Sequence, residues 1–382
     1  MKRILSALMA TSMVLSLAAC GSAGSKAATT AANAADTTAA GTAAETTAAA
    51  SSAAAGTAET SKAAAGAGKS FDITWVSCST ESDFWQYQQI GMENAVKDMQ
   101  DKYGITINFS VVGPATEAET EAYIRAFENA VASKPAAIIT ATQVPDSTIA
   151  VAQEATNQGI IVNFTNCGLE TMDSTQYSKV YNQFYTTVSA DIGDAAGKWM
   201  LDKLTAAGLT EGVIAMEFSN VNPALEPRMT NFKKYVESNS KFQVLDTLYN
   251  NNDLEQAQAD VENEISTYGD KLVGIYGANN VSGDGIALAV ENAGIKDKVI
   301  TIGVDSDPTE IKALEAGTLD AIFVQDAYGQ GYKSLENAVE TLIQGKNPET
   351  EQKIAMPPEA VTTDNMKEEK YAALLDPTIL KK

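Results

Sequence analysis

The chain reads as an α/β protein built from two similar halves, and three observations predict this. From residue 70 onward, short β-branched runs alternate with longer amphipathic stretches through most of the chain. That alternation occurs twice over. At 382 residues the chain also exceeds what one core encloses, since single cores stop growing at about 250 to 300 residues.

Strand-like runs fall at 72–77, 105–112, 136–140 and 160–164 in the first half. The second half has them at 212–218, 242–249, 272–276, 299–304 and 320–325. Between them lie helical patterns at 85–102, 117–133, 146–158, 189–207, 253–267, 283–293 and 308–316. Each is long enough to carry a right-handed crossover between parallel strands, the arrangement that alternating elements favour.

The N-terminus is organised differently. Lys2 and Arg3 precede 14 residues, Ile4 to Leu17, that are apolar apart from Ser and Thr, and Ala18, Ala19 and Cys20 follow. A charged start, a short apolar stretch and small residues before a cleavage point define a secretory signal, expected over 1–19. The run falls short of the ~20 residues a membrane-spanning helix needs. Leu17-Ala18-Ala19-Cys20 resembles the bacterial lipobox, which implies that Cys20 becomes the lipidated first residue of a protein tethered to the outer face of the cell membrane.

Between Gly21 and Lys69, 42 of 49 residues are Ala, Thr, Ser or Gly. Nothing there is large enough to build a core, so 20–69 reads as a lipidated cysteine followed by a disordered tether with a reach of roughly 35 to 42 Å. Its last part, Ala63 to Ser70, satisfies a loose phosphate-loop pattern. A phosphate loop follows a strand and opens a helix, whereas this segment runs from low-complexity sequence into the strand-like Phe71 to Val76.

Composition removes several classes of function. From residue 70 onward there are 46 acidic and 22 basic residues, a net charge of -24, so no basic surface is available for nucleic acid. The chain has no histidine, which takes away the usual general base of hydrolytic triads and the commonest zinc ligand. No metal cluster, nucleophile elbow or cofactor motif appears, and neither an enzymatic activity nor a cofactor nor a metal is expected.

Ligands of open parallel sheets sit beyond the carboxyl ends of strands, so the loops there carry the information. The first strand is followed by Ser77-Cys78-Ser79-Thr80-Glu81-Ser82-Asp83-Phe84-Trp85, a polar turn with two aromatics opening a helix. A late strand is followed by the acidic turn Gly303-Val304-Asp305-Ser306-Asp307-Pro308. Thr301 to Ser306, then Leu314, Gly317, Thr318, Leu319 and Ala321, then Gln325-Asp326, resemble the ribose-binding-protein family, the sugar-binding proteins of bacterial ABC importers. The resemblance extends to Phe84-Trp85, Ser189 to Gly197, Arg228 with Phe232, Gly277 to Asn280 and Val361 to Asn365.

This resemblance implies a periplasmic binding protein of type I: two doubly wound, Rossmann-like lobes with flavodoxin-like strand order, joined by a three-segment hinge. The lobes would be 70–189 plus 326–354 and 190–325 plus 355–382, with hinge positions at Ser189 to Asp191, Gln325-Asp326 and Ala355 to Pro357. It also implies a small carbohydrate ligand, a membrane permease as partner and a monomeric protein. Presentation of a sugar or autoinducer-type signal to a sensor kinase or chemoreceptor is the alternative role for the same clamp.

Residue by residue, the resemblance places Ser82, Phe84, Trp85, Thr165, Asn166, Arg228, Asn279, Asp305 and Gln325 at the ligand. A sugar offers C–H faces to flat rings and hydroxyls to carboxylates, amides and guanidinium groups. Phe84 and Trp85 equally suit a core pair at a helix start, Asp305 a helix cap near Pro308, Asn279 a turn and Arg228 a solvated helix charge. Trp85→Ala and Asp305→Ala are expected to weaken binding and leave the fold intact. After the fourth strand stands Thr165-Asn166-Cys167, where close sugar-binding relatives carry an Asp-Arg pair, so no particular sugar is implied. Cys78 and Cys167 lie after strands separated by another in the family's sheet order, which favours two free thiols.

Overall fold

The computed structural model describes residues 66–221 and 225–382. The signal segment, Cys20 and most of the tether lie outside the described residues. Gly68 and Lys69 lead directly into the first strand, so the phosphate-loop pattern opens no helix.

The first sheet is built from β1 (Ser70–Val76), β2 (Thr106–Val112), β3 (Ala137–Thr140), β4 (Ile161–Thr165), β5 (Gln183–Thr186) and β12 (Lys353–Ala355). Its order is β12-β5-β4-β3-β1-β2, parallel throughout. The second sheet contains β6 (Val213–Phe218), β7 (Gln243–Val244), β8 (Leu248–Tyr249), β9 (Leu272–Gly277), β10 (Ile300–Val304), β11 (Ala321–Val324) and β13 (Glu359–Val361). Its order is β13-β11-β10-β9-β6-β7, with β8 also on β6 and β13 alone antiparallel. Each sheet therefore repeats the 2-1-3-4-5 order of doubly wound folds, with its switch point between β1 and β3 or between β6 and β9.

The central strands β3, β6, β9 and β11 are buried at every position, because helices cover both faces of a parallel sheet. This is why they read as largely apolar runs, interrupted in β6 by Glu217. The 242–249 stretch forms two short strands in place of the single expected one, and β5, β12 and β13 are strands that periodicity leaves unmarked, at three or four residues each.

Helices α1 (Asp83–Tyr103), α2 (Thr120–Ala132), α3 (Pro145–Asn157) and α9 (Ala327–Gln344) accompany the first sheet. Around the second are α4 (Ser189–Ala206), α5 (Pro227–Asn239), α6 (Leu254–Tyr268), α7 (Asn280–Ala293), α8 (Pro308–Ala316) and α10 (Glu369–Leu375). None of the described helices is long and apolar enough to cross a membrane.

The chain passes between sheets from β5 to α4, from β11 to α9 and from β12 to β13. A further link comes from the tail. Leu375 belongs to the core of the second sheet, and its carbonyl accepts from Ser306 Oγ at 2.9 Å. A few residues later Asn94 of α1 donates to the Leu380 carbonyl at 2.7 Å, and Lys382 Nζ pairs with Asp98 at 2.5 Å.

Candidate functional site

Six elements bring polar groups to the space between the two sheets. Asn166 immediately follows β4 and Asp305 immediately follows β10, and both adopt positive φ, 59° and 81°. Few residues other than glycine take this conformation, though Asn and Asp do so more readily than most. Between them stands Gln325, immediately after β11. It accepts from Asn166 Nδ2 at 3.0 Å and donates to Asp305 Oδ1 at 2.5 Å.

Arg228 extends this relay further within the second lobe. It lies in the first turn of α5, 3% exposed, and its Nη1 donates to the Ala278 carbonyl at 2.9 Å, with Asp305 Oδ2 3.9 Å away. Arg228 Nε is buried without a hydrogen-bond partner, so one donor of the guanidinium is unused. Burial raises the Asp305 carboxyl above its ordinary range, while Arg228 and the Gln325 amide act in the opposite direction.

The helix cap that Asp305 was expected to supply as an alternative belongs to Asp307, which accepts from the backbone of Thr309 and Glu310 at 2.8 and 2.9 Å. Asp305 instead accepts from the Gln325 amide. Gly193 of α4 sets the position of Arg228: a Cβ there would stand 2.3 Å from the Arg228 carbonyl oxygen, so the close approach of α4 to α5 needs glycine.

The first lobe contributes a carboxylate that sequence reasoning missed. Glu117, in the loop after β2, accepts from Trp85 Nε1 at 2.6 Å and from Gln143 Nε2 at 3.4 Å. Burial raises its carboxyl, the Trp85 bond lowers it, and the charges of Asp305 and Arg228 both reach it from the opposite lobe. The available signal was indirect: a buried tryptophan N–H needs an acceptor, and a loop at the carboxyl end of a strand is where one would stand.

The remaining expected residues divide. Phe84 is half-buried and meets Trp85 edge-on, ring centres 5.0 Å apart at 87°. Trp85 is 2% exposed and belongs to the first lobe's core, tilted against Trp75 at 6.3 Å. The expectation that Trp85→Ala leaves the fold intact does not hold, because truncating a buried tryptophan costs about 3 to 5 kcal/mol. Thr165 is buried and donates to Gln88 Oε1 of α1 at 2.8 Å. Asn279 is turned to its own lobe, donating to Asn252 Oδ1 at 2.9 Å and accepting from Ser282 Oγ at 2.6 Å.

Ser82 precedes α1, and its N–H donates to Ser79 Oγ at 3.1 Å. Ser189 and Asp191 lie in the first turn of α4 just after the first crossing, and Asp326 caps α9 by accepting from the Gly329 N–H at 2.7 Å. Cys78 and Cys167 are both free and buried, with β3 between their strands. Burial pushes the Cys167 thiol up to about 12, so it is not a thiolate nucleophile at neutral pH. Among the described residues no group of three His, Cys, Asp or Glu side chains is arranged to hold a metal.

Donors and acceptors from both lobes are thus joined in one relay, an arrangement that fits a binding protein of the two-lobed clamp class. The profile of the periplasmic binding protein domain matches residues 73–347, and the chain belongs to that family. It is 28% identical over 163 residues to the D-allose-binding periplasmic protein of Escherichia coli (strain K12), a match covering 43% of this chain and 51% of that protein. The match therefore spans about half the length of this curated relative.

Among solved structures, an ABC transporter solute binding protein from Agrobacterium vitis with bound D-fucose superposes with a TM-score of 0.70 at 27% identity, covering 80% of this chain and 99% of that one. A carbohydrate transporter solute binding protein from Agrobacterium radiobacter, in complex with D-arabinose, gives 0.69 at 23% identity with the same coverage. At that identity the second likeness speaks for the fold alone.

Proposed function

We propose that this protein captures a monosaccharide or related polyol between its lobes and delivers it to the permease of an ABC importer, from a lipid anchor at Cys20 on the outer face of the cell membrane. The observation that carries this reading is the relay Asn166–Gln325–Asp305–Arg228, which spans the strand ends of both sheets. A polyol satisfies groups from both sides at once, and a ligand that contacts the closed form better than the open one shifts the population toward closure. Gln325-Asp326 and the segments around Ser189 to Asp191 and Ala355 to Pro357 are the positions at which the lobes would turn.

Support for a sugar comes from the carbohydrates bound by related proteins and from the carboxylate, amide and guanidinium groups of the relay. The protein acts by binding alone, without turnover, and works as a monomer. The test is thermal unfolding of the full chain in detergent against a panel of monosaccharides and polyols. A true ligand at 100 times its Kd adds about 2.7 kcal/mol of stability. If no member of the panel shifts unfolding, the carbohydrate assignment fails. Mass spectrometry of the mature N-terminus tests the anchor, with diacylated Cys20 as the expected species.

A further inference from the structure

Beside the relay lies a cavity of about 780 Å³. It begins at Asn166 and Cys167 and reaches Pro227, the neighbour of Arg228, so it opens from the same space and draws on both lobes. Its character is different. Val144, Leu169, Met172, Phe184, Val188 and Leu225 form its walls.

Several of the polar side chains on those walls are already engaged, while Asp146 and Ser147 stand exposed at the rim. Glu170 is held by Lys353 at 3.1 Å and by the Tyr181 hydroxyl at 2.8 Å. Thr186 Oγ1 donates to the Asn166 carbonyl at 2.6 Å, and Thr187 Oγ1 accepts from Gln330 at 3.2 Å. Away from that rim, a bare ring of hydroxyls would find mostly apolar walls and occupied partners, and buried hydroxyls without partners oppose binding. The volume falls within the ~300 to 1,000 Å³ of sites that enclose drug-sized molecules.

On the reading of the relay as a carbohydrate site, we propose that the ligand is a glycoside whose alkyl or aryl group occupies this cavity while its sugar ring lies against Arg228, Asp305, Gln325 and Asn166. One amphipathic molecule then matches both surfaces: hydroxyls face the relay, and the apolar substituent covers Leu169, Met172 and Phe184.

Calorimetric titration of the full chain with D-allose, D-fucose and D-arabinose, each as the free sugar and as both phenyl glycosides, tests this. For the sugar that binds, one phenyl glycoside is expected to bind about tenfold tighter or more than the free sugar, the gain from burying a ring. Met172→Asp and, at the exposed rim, Ser147→Trp should each abolish that gain. A free sugar that binds as well as its glycosides overturns the proposal and leaves the proposed function standing. If no sugar and no glycoside binds, both fall together. A ligand-free dimer in sedimentation that Ser147→Trp converts to monomer would assign the cavity to a second copy of the chain and also overturn the proposal.

Discussion

The amide of Asn166 donates to the side-chain carbonyl of Gln325 at 3.0 Å, joining the end of β4 to the point where the chain leaves β11 for α9. Gln325 passes the connection on to Asp305. Both ends of this relay stand at positive φ. Non-glycine residues in that region cost of order 1 to 3 kcal/mol and persist where their surroundings over-determine them, a pattern concentrated at ligand clamps.

Gln325→Ala removes both of its bonds at once. Asn166 and Asp305 would each lose a partner in a buried setting, at about 1 to 3 kcal/mol apiece. Calorimetry on the sugar that binds should show affinity falling tenfold or more, with a lower unfolding temperature as well. Native affinity in this variant would place the ligand away from the relay.

Charge and stability separate at Asp305 and Arg228. Asp305→Asn keeps the shape and tolerates the positive φ, so the fold should hold while ligand affinity drops by one to two orders of magnitude. Arg228→Met is different, because it strands a buried carboxylate, and chemical denaturation should show a loss of roughly 3 to 5 kcal/mol. Combining the two substitutions should recover most of that stability but none of the binding. Strictly additive losses in the double variant would mean that the 3.9 Å pair contributes nothing.

Gly193→Ala should weaken ligand binding although the residue faces another helix. Its new Cβ would collide with the Arg228 backbone, forcing α5 away from α4 and moving the guanidinium out of line. A shift of this kind is expected to cost about tenfold in affinity, since binding groups must be held within roughly 0.5 Å. A crystal structure of the variant with Arg228 unmoved would refute the account.

The fold was legible because parallel strands buried on both faces leave largely apolar runs, and β3, β6, β9 and β11 all show them, β6 with Glu217 as its one charged residue. The short strands β5, β12 and β13 were not, since three or four residues carry too little periodicity. Asp305, Gln325, Arg228 and Asn166 were named from resemblance to a family, and the fold brings them together. Thr165 and Asn279 occupy the same loops but turn to Gln88 and Ser282, a choice of side-chain direction that sequence does not encode locally. Glu117 escaped because an acidic residue in a polar loop resembles any other surface charge until Trp85 is seen to donate to it.

Stability should fall as pH rises from mildly acidic to alkaline conditions. Glu217, at the end region of β6 and 1% exposed, has its carboxyl pushed up to about 9 by burial, with Asp260 adding to the effect. Asp284 of α7 is raised to about 8 by burial and by Asp307. Both groups bind protons more tightly folded than unfolded. Below the ordinary carboxyl range their contribution is complete, and it is lost as pH climbs from there through about 8 to 9, at up to ~1.4 kcal/mol per unit for each group. Glu170 works in the opposite sense: burial opposes its ionisation, but the Tyr177 N–H and the Ser174 and Tyr181 hydroxyls hold its carboxyl low, so its contribution is present above the ordinary carboxyl range and lost as pH falls below it. The unfolding temperature should therefore be highest in mildly acidic buffer and decline toward pH 9. Glu217→Gln, which keeps an acceptor for Asn250, should flatten the decline; an unfolding temperature that instead rises across this range would show that both carboxyls are ionised in the folded protein.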